Sequence, residues 1–197
     1  APAVIAHDFQ KDTHAFEFAA RMALQRGIPL LGVQHHHAHI ASVLAEHRMA
    51  EPVTGLALDA GEISLDGSFH GSGLLLVDGA RTELLGHLAP LPVASGHTAS
   101  QTPLGLAAAI LHALGRNDEI AARFAGNPAA GEIAGLLSSD RGETNVSSMR
   151  KLMDAAAGLL GVNLSAGYSD QCTLQLEGLA TDGADADTPA DDATADQ

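Results

Sequence analysis

The sequence predicts an α/β fold with mixed sheets and flanking helices, and three observations lead to this prediction. Strand-like and helix-like segments alternate at short spacing over residues 3–47. Residues 53–88 are instead strand-like segments separated by turn dipeptides, and residues 103–179 are a succession of helix-like segments. Short alternation is typical of a parallel β-α-β unit, whereas strands joined by tight turns pair antiparallel. We therefore expect a small parallel unit, an antiparallel region and a helical region, in that order.

The parallel unit is predicted from two apolar strands, each followed by a helix. Its elements are a strand at residues 3–6, a helix at 13–26, a strand at 29–33 and a helix that begins near residue 34. Asp12 or Thr13 suits the N-cap of the first helix, and Gly27 suits its C-terminal stop. The second helix carries an apolar stripe, which is typical of a helix packed on a core.

The antiparallel region is predicted from its turn chemistry. Its apolar segments are residues 53–58, 68–77 and 81–88. Asp66-Gly67 and Asp78-Gly79 are dipeptides that two-residue hairpin turns favour. Two further connections, a hairpin connection and a loop, are predicted at residues 59–67 and 90–102.

Helices are predicted for most of the second half of the chain. They span residues 103–114, 118–124, 131–137, 147–160 and 169–179. Pro103 suits the first helical position and Gly115 a C-terminal stop, which is the usual asymmetry of helix ends. Residues 181–197 consist almost entirely of Ala, Asp, Thr and Gly, so they are predicted to be disordered.

Composition narrows the class of partner. The formal net charge of −14 argues against nucleic acid and against an anionic membrane, because both call for basic surface. No apolar run approaches the roughly twenty residues that a bilayer-spanning helix needs.

Cys172 is the only cysteine, which excludes an internal disulfide and a zinc site built from thiolates. The start also lacks the pattern of a signal peptide, so the cytoplasm is the expected compartment.

Metal-ligand chemistry is concentrated at the ends of the predicted strands. His35 and His39 follow the second strand at a spacing that lets two side chains meet on one helix face. Asp8 and Asp59 follow the first and third strands, and ligands of open α/β sheets bind beyond such strand ends. Two imidazoles and a carboxylate suit Zn²⁺ or Fe²⁺, with positions left for water or substrate. The alternative is a pair of capping or solvated histidines beside an ordinary turn aspartate.

Other polar groups have simpler explanations. His36 and His37 point elsewhere on the helix, so we expect them in the outer surroundings of the site or on the surface. The connection around Gly61 lacks the ligand spacing of a calcium loop, and one glycine is a poor phosphate cradle. Arg150 and Lys151 lie near a helix start, where cations oppose the dipole, and this placement indicates an anion contact.

The histidine run is the most specific motif of the chain. Residues 33–40 read Val-Gln-His-His-His-Ala-His-Ile, followed by Ala-Glu-His at 45–47 and Gly-Leu-Ala-Leu-Asp at 55–59. These segments resemble the HypF-type carbamoyltransferases, which are maturation factors of nickel–iron hydrogenases. The resemblance is to the domain related to the tRNA threonylcarbamoyl-adenosine synthase and to antibiotic O-carbamoyltransferases, and it extends over residues 3–180.

The resemblance implies ribonuclease-H/actin-like (ASKHA) lobes, present here as an incomplete set. Residues 1–51 would be the β-α-β-α end of the first lobe, with the histidine motif. Residues 52–180 would be the start of the second lobe, antiparallel strands and then helices, and residues 181–197 would be a disordered acidic tail. The chain opens on Ala-Pro-Ala without an initiating Met, so we expect a processed product or a piece of a longer protein.

The resemblance also implies site residues and cofactors, although it leaves the catalytic residues unassigned. The implied metal ligands are His35, His39 and Asp59, and the implied nucleotide and phosphate positions are Gly61, Ser148 and Lys151. The metal would be a divalent ion, zinc or iron. The nucleotides would be ATP and carbamoyl-adenylate.

The chain departs from the family pattern at several places. Asp59 is followed by Ala-Gly-Glu where the family has Gly-Thr-Gly, which puts the Glu62 carboxylate where phosphate oxygens would lie. Residues 71–73, Gly-Ser-Gly, replace Gly-Gly-Glu, and Arg150 replaces a glycine that allows close backbone approach. A second glycine-rich phosphate loop and the aspartate that completes the metal site have no counterpart.

Three functions follow as hypotheses. The first is part of a carbamoyltransferase that passes a carbamoyl group from carbamoyl-adenylate to the C-terminal cysteine of a HypE-like protein. The second is a degenerate or truncated relative that binds a divalent metal or a maturation partner without catalysis. The third is a metal-dependent hydrolase with Glu62 as base. Exposed incomplete sheets also lead us to expect a homo-oligomer or a complementing chain.

Overall fold

A computed structural model describes residues 2–59, 62–63, 69–94, 102–139 and 143–187. Its strands are β1 Ile5–His7, β2 Leu30–Gly32, β3 Val53–Ala57, β4 Glu62–Ile63, β5 Phe69–His70, β6 Gly73–Asp78, β7 Arg81–His87, β8 Leu91–Ala94 and β9 Glu143–Val146. Its helices are α1 His14–Arg26, α2 His35–His47, α3 Pro103–Ala113, α4 Asn117–Arg123, α5 Ala129–Ser138, α6 Met149–Leu159 and α7 Gln171–Asp187. The predicted α/β class is confirmed.

The first strands and helix form the predicted parallel unit. Strands β1 and β2 pair in parallel, with Ile5 opposite Leu30, and α1 connects them. The Oγ1 atom of Thr13 accepts a hydrogen bond from the Phe16 N–H at 3.2 Å, so Thr13 is the N-cap of α1. Gly27 ends the helix in the left-handed conformation at φ 62°, as the sequence predicts.

An antiparallel sheet follows in the order β3-β6-β7. Val53 pairs with Val77 between the first two of these strands, and Asp78 pairs with Arg81 at the hairpin between the last two. Gly79 occupies the hairpin turn at φ 55°, where the Asp-Gly dipeptide predicts a turn. Strands β4 and β5 form a separate antiparallel pair, which agrees with a hairpin connection after β3.

Helix α2 packs on this sheet, and the packing decides where its histidines lie. Ile40 of the helix shares a small buried core with Ala57, Leu75 and Val77 of the sheet. Leu44, one turn further along α2, extends the contact. Burying such side chains stabilises the folded state by about 1.5–3 kcal/mol each, so the face of α2 that carries Ile40 is held against β3 and β6.

The helical region is built around α3, which is apolar on all sides and almost wholly buried. A helix of this kind belongs in the interior of a domain. Thr102 caps it, because its Oγ1 atom accepts a hydrogen bond from the Gly105 N–H at 3.1 Å. The buried cluster around it comprises Leu104, Ala107, Ala108, Leu111, Ile120, Phe124, Ala130, Ile133 and Leu137.

Two secondary-structure predictions are wrong. The segment 90–102, predicted as a loop, contains strand β8, which pairs with the unpredicted strand β9 in a two-stranded sheet. Strand β8 is hard to predict from the sequence because it contains Pro92, and proline is depleted in strands. Helix α7 continues to Asp187, so residues 181–187 are helical rather than disordered; with two alanines among Thr, Gly and three Asp, their helix propensity does not predict this. Residues 188–197 lie outside the described part of the chain.

Contacts within the chain divide it into two compact units. One comprises Ala1–Pro92 with Asn145–Lys151, and the other comprises Val93–Thr144 with Leu152–Gln197. The lobe boundary that the sequence places after residue 51 stays a prediction. Among the helices in the described ranges, none combines the length and the apolar character that a bilayer-spanning segment needs.

Candidate metal centre

The first turn of α2 begins where the sequence predicts. Gln34 is its N-cap, and the side-chain Oε1 of Gln34 accepts a hydrogen bond from the His37 N–H at 2.7 Å. With the helix starting at His35, the side chains of His35 and His39 are one turn apart on the same face. Their Nε2 atoms lie 2.9 Å from each other.

Asp59 completes a group of three with these two histidines. Its Oδ2 atom lies 2.9 Å from Nε2 of His35 and 3.4 Å from Nε2 of His39. Asp59 follows β3, so the carboxylate reaches the histidines from the sheet on which α2 packs. Within the described residues, this is the one group of three or more His, Cys, Asp or Glu side chains close enough to hold a metal ion together. Asp8 is not part of it.

A glycine in β3 allows the helix to approach the sheet closely. A Cβ atom at Gly55 would lie 2.5–2.9 Å from three side-chain atoms of Ile40, which is closer than carbon atoms tolerate. Ile40 is only 7% exposed and has little room to move. Any larger residue at position 55 would therefore push α2, and with it His39, away from the sheet that presents Asp59.

The three ligand atoms fit a transition-metal ion. Ligands bound at about 2.0–2.2 Å from one zinc ion lie about 3–3.5 Å apart in a tetrahedral or octahedral arrangement. The separations between the two Nε2 atoms and Oδ2 are 2.9, 2.9 and 3.4 Å. Three lone-pair-bearing atoms therefore converge at the spacing that a divalent cation needs. Neutral imidazole and carboxylate suit Zn²⁺ and Fe²⁺ equally well in this arrangement.

The exposure of the three side chains leaves one side of the centre open. His35 and Asp59 side chains are 29% and 26% exposed, and that of His39 is 59% exposed. Three protein ligands with an open side are the usual arrangement of a catalytic metal rather than a structural one. That these residues bind metal remains a prediction, although the structure brings all three together.

His36 lies in the interior rather than on the surface. It is 1% exposed, and its Nε2 atom is 4.0 Å from Oδ2 of Asp59. The sequence contains a signal for this burial, because His36, Ile40 and Leu44 are each four residues apart and share the core-facing side of α2. Asp59 therefore faces three imidazoles, two at the open side and one from the core.

His37 contacts the sheet at the other side of the helix start. Its Nε2 atom lies 2.9 Å from the backbone oxygen of Gly79, in the turn between β6 and β7. The backbone N–H of His37 is also the donor to the Gln34 cap. The histidine run therefore contains residues of two kinds. His35 and His39 are predicted metal ligands, and His37 attaches the start of their helix to the turn between β6 and β7.

Ser72 is the residue near the centre that sequence reasoning missed. Its side chain is buried, and its Oγ atom accepts hydrogen bonds from the Asp59 N–H at 3.0 Å and the Met149 N–H at 3.1 Å. The same hydroxyl donates to the backbone oxygen of Asp59 at 3.1 Å. In the sequence Ser72 stands out only as a departure from the family pattern, since its partners are far away along the chain.

The predicted phosphate positions have different outcomes. Gly61 lies outside the described residues. Ser148 is buried, and its Oγ atom accepts a hydrogen bond from the Lys151 N–H at 3.3 Å, so it caps the start of α6. Glu62 belongs to β4, and its side chain is outside the described part of the structure. Nucleotide contacts by these residues stay predictions.

Family comparisons agree with the histidine motif. The family described as "HypF Kae1-like domain" matches residues 1–46. The family described as "Carbamoyltransferase, Kae1-like Domain, second subdomain" matches residues 55–196. The two matches together cover nearly the whole chain, including all three predicted metal ligands.

Individual relatives carry the same name. Carbamoyltransferase HypF2 of Cupriavidus necator is 46% identical over 179 residues, which are 91% of this chain and 22% of that protein. Carbamoyltransferase HypF of Rhizobium leguminosarum bv. viciae is 34% identical over 168 residues, which are 85% of this chain and 22% of that protein. The chain thus spans about a fifth of the length of these relatives.

Solved structures show the same fold. Full-length HypF in its phosphate- and nucleotide-bound form matches 91% of this chain and 23% of its own length, with a TM-score of 0.75 and 29% identity. HypF of T. kodakarensis matches 90% of this chain and 25% of its own length, with a TM-score of 0.68 and 26% identity. The predicted class, incomplete ribonuclease-H/actin-like lobes, is confirmed. The chain belongs to the HypF carbamoyltransferase family and corresponds to part of its Kae1-like domain.

Proposed function

We propose that this chain is the metal-bearing part of a carbamoyltransferase that transfers a carbamoyl group from carbamoyl-adenylate to the C-terminal cysteine of a HypE-like protein. The transfer would serve the maturation of nickel–iron hydrogenases. The observation that carries the proposal is the convergence of His35, His39 and Asp59, at 2.9–3.4 Å, in a chain of the HypF family.

The proposed reaction balances without a redox step. The cysteine sulfur attacks the carbamoyl carbon, a carbon–sulfur bond forms, and the bond between that carbon and the adenylate oxygen breaks. AMP leaves, and the thiol proton passes to solvent. Carbamoyl-adenylate itself would come from carbamoyl phosphate and ATP.

The chain's own residues would hold and orient the reacting carbonyl at the open side of the centre. His35, His39 and Asp59 would hold a zinc or iron ion, which when bound supplies Lewis-acid polarisation of a carbonyl oxygen. His36, behind Asp59, closes the centre toward the core and excludes water from that side. His37 and Gln34 hold the start of α2 in place, so the two ligand histidines keep a fixed spacing.

Nucleotide use is proposed from the relatives and from the chemistry. HypF has been solved in a nucleotide-bound form, and the same fold is present here. Carbamoyl-adenylate needs a site that accepts its phosphate, and Gly61, Ser148 and Lys151 are the positions proposed for this contact. We place the reaction in the cytoplasm, because ATP and reduced thiols are both available there.

A second candidate function is supported by one specific observation. The Ser148 hydroxyl already accepts the Lys151 N–H as a cap of α6, and Arg150 stands where the family has a glycine. These features favour a degenerate relative that binds a divalent metal or a maturation partner but transfers no carbamoyl group. Such a relative would bind zinc without binding AMP or ATP.

A complementation assay tests the transfer. The chain is mixed with Cupriavidus necator HypF2 from which the segment matching this chain, 22% of its length, has been deleted. Labelled carbamoyl phosphate, ATP and a HypE-like acceptor ending in cysteine are added. Label is expected on the acceptor when the wild-type chain is present. Label is expected to be missing with the His35→Ala chain and to be restored with His47→Ala, which changes an exposed histidine at the far end of α2.

Binding measurements separate the two candidate functions. Titration calorimetry with Zn²⁺ and then with AMP or ATP is expected to show binding of both for a transferase. Zinc binding without nucleotide binding, together with an unlabelled acceptor, would assign the chain to the degenerate class. Size-exclusion chromatography of the chain alone tests the expected homo-oligomer.

A further inference from the structure

The Ser72 hydroxyl is bonded to its full capacity inside the protein. A serine hydroxyl has one hydrogen to donate and two lone pairs to accept with. At Ser72 the hydrogen goes to the Asp59 backbone oxygen, and the two acceptor positions are used by the N–H groups of Asp59 and Met149. Ser72 is 1% exposed, so solvent has little access to compete for any of these three bonds.

The bonds to Asp59 fix its backbone rather than its carboxylate. Both the N–H and the carbonyl oxygen of Asp59 are attached to the same oxygen atom, at 3.0 and 3.1 Å. This pair of bonds restrains rotation about both backbone dihedrals of Asp59, which follows the end of β3 and lies outside its ladder. Ser72 thereby aims the carboxylate at His35 and His39 through the backbone of Asp59.

The same junction reaches the start of α6. The Ser72 N–H donates to the Ser147 backbone oxygen at 2.7 Å, and the Gly71 N–H donates to the Ser147 hydroxyl at 3.1 Å. A Cβ atom at Gly71 would lie 1.6 Å from the backbone oxygen of Ser147, so only glycine permits this close approach of the two segments. Hydrogen bonds of Gly71 and Ser72 therefore join the loop before β6 to Asp59, Ser147 and Met149.

We propose that Ser72 is a positioning residue for the metal centre, setting the orientation of Asp59 through its backbone. The inference rests on the proposed metal site. Removing the hydroxyl leaves the N–H groups of Asp59 and Met149 without their buried acceptor. Buried groups left in this state carry a large desolvation cost. The backbone at Asp59 then rotates to find other partners, and Oδ2 leaves its position 2.9 Å from His35.

Ser72→Ala is the test variant, and Thr13→Ala is its matched control. Thr13 lies in the same compact unit as Ser72. Its hydroxyl also donates and accepts, since it donates to the backbone oxygen of Gln10 at 3.1 Å and accepts from the Phe16 N–H at 3.2 Å. It caps α1, and both of these bonds stay within residues 10–16 rather than reaching Asp59 or α2. Both variants lose a structural hydroxyl, but only one of these hydroxyls orients a predicted ligand.

Metal affinity and ligand geometry are measured together. Zn²⁺ affinity is obtained by competition with a chelator, and the visible spectrum of the Co²⁺-loaded chain reports which ligands are bound. Asp59→Ala supplies the reference spectrum for a centre that has lost its carboxylate. Circular dichroism confirms that each variant is folded at the temperature of the assay.

Ser72→Ala is expected to weaken Zn²⁺ binding by about tenfold, as loss of a group that orients a ligand does in metal proteins. Its Co²⁺ spectrum is expected to shift toward that of Asp59→Ala. Thr13→Ala is expected to keep its affinity within about twofold and its spectrum unchanged. Equal affinities and unchanged spectra in both variants would overturn the role of Ser72.

Further outcomes are also decisive. If Ser72→Ala does not fold, Ser72→Cys replaces it, because a thiol fills the space of the hydroxyl but is a much weaker hydrogen-bond donor and acceptor. A spectrum shifted toward that of Asp59→Ala in folded Ser72→Cys supports the role, and a wild-type spectrum with wild-type Zn²⁺ affinity overturns it. If the wild-type chain binds neither Zn²⁺ nor Co²⁺, the proposed metal site fails and the inference fails with it. If the wild type binds metal and Ser72→Ala binds equally well, only the inference fails.

Discussion

The Nε2 atom of His35 lies 2.9 Å from Oδ2 of Asp59, and this contact joins the first turn of α2 to the residues that follow β3. The same carboxylate oxygen lies 3.4 Å from Nε2 of His39 and 4.0 Å from that of His36. One aspartate therefore faces imidazoles from two sides of a helix, and only two of them stand at the open side. The proposed function depends on whether this arrangement binds a metal ion.

Removing any of the three predicted ligands is expected to abolish tight metal binding. His35→Ala, His39→Ala and Asp59→Asn each remove a nitrogen or a charged oxygen from a group whose ligand atoms all lie within 4.8 Å of one another. We expect Zn²⁺ affinity to fall by at least about 100-fold, more than loss of an orienting group causes. Chelator competition measures the affinities. His47→Ala, at the exposed end of the same helix, is the control, and wild-type affinity in Asp59→Asn would contradict the assigned ligand set.

The close packing of α2 on β3 predicts a specific effect at Gly55. Gly55→Ala places a methyl group 2.5–2.9 Å from Ile40 and is expected to destabilise the fold by about 1–3 kcal/mol. Because α2 must move outward, Zn²⁺ affinity should fall as well. Urea unfolding measures the first effect and chelator competition the second.

Gly86→Ala is the matched control for that experiment. Gly86 lies in β7 of the same sheet, and a Cβ atom there would meet nothing within 4 Å. Its unfolding free energy should stay within about 0.5 kcal/mol of wild type. Equal stability losses in Gly55→Ala and Gly86→Ala would show that close approach of the helix is not the cause.

The buried thiol of Cys172 predicts how stability depends on alkaline pH. Burial, and then the nearby Asp154 carboxylate, raise the pKa of this thiol from its ordinary 9.0 to about 11. Between these pH values the unfolded chain has lost the proton and the folded chain has kept it, so stability falls as pH rises. The stability that the protonated Cys172 thiol contributes is fully present below pH 9. By pH 11 the free energy of unfolding has lost about 2–3 kcal/mol from this thiol.

Chemical unfolding at several pH values measures this slope, with Cys172→Ala as the comparison. The variant is expected to be less stable at neutral pH, because it leaves a small cavity, but to lack the cysteine part of the decline above pH 9. The native thiol should also react slowly with a disulfide reagent at pH 8, since Cys172 is 0% exposed. Parallel pH curves for both proteins would contradict the raised pKa.

The cap of α2 predicts a smaller effect at Gln34. Gln34→Ala removes the Oε1 acceptor that the His37 N–H uses at 2.7 Å, and we expect a loss of about 0.5–1 kcal/mol. Fraying of the first turn should weaken Zn²⁺ binding severalfold, because His35 stands in that turn. Gln25→Ala makes the same substitution at an exposed position of α1 and should change neither quantity. Unchanged zinc affinity in Gln34→Ala would indicate that the ligand spacing does not depend on this cap.

Local patterns were enough to predict most of the helices and the face on which the ligands lie. Thr13, Gly27 and Gly115 act on neighbouring backbone groups, so their effect on helix ends depends on a few adjacent residues. The spacing of His35 and His39 determines that they share one face as soon as a helix forms there. Hairpin pairing at Asp78-Gly79 is local for the same reason.

Other features required contacts between distant parts of the chain. Strands β8 and β9 are short, β8 contains Pro92 and β9 has no apolar pattern, so their pairing is set by the surrounding fold rather than by propensity. The burial of His36 depends on α2 lying against β3 and β6, which its sequence neighbours alone do not dictate.

The sequence by itself determined the family, the helix that carries the histidines and the identity of the three predicted ligands. Only the tertiary structure decided how Asp59 is held. The Ser72 hydroxyl, between β5 and β6, bonds the backbone N–H and oxygen of Asp59, and it also accepts the N–H of Met149 at the start of α6, far along the chain. Hydrogen bonds of this kind leave no periodic trace in a sequence, since each depends on one atom reaching one distant partner. Spacing therefore predicts which residues can meet, and packing decides which backbone groups hold them there.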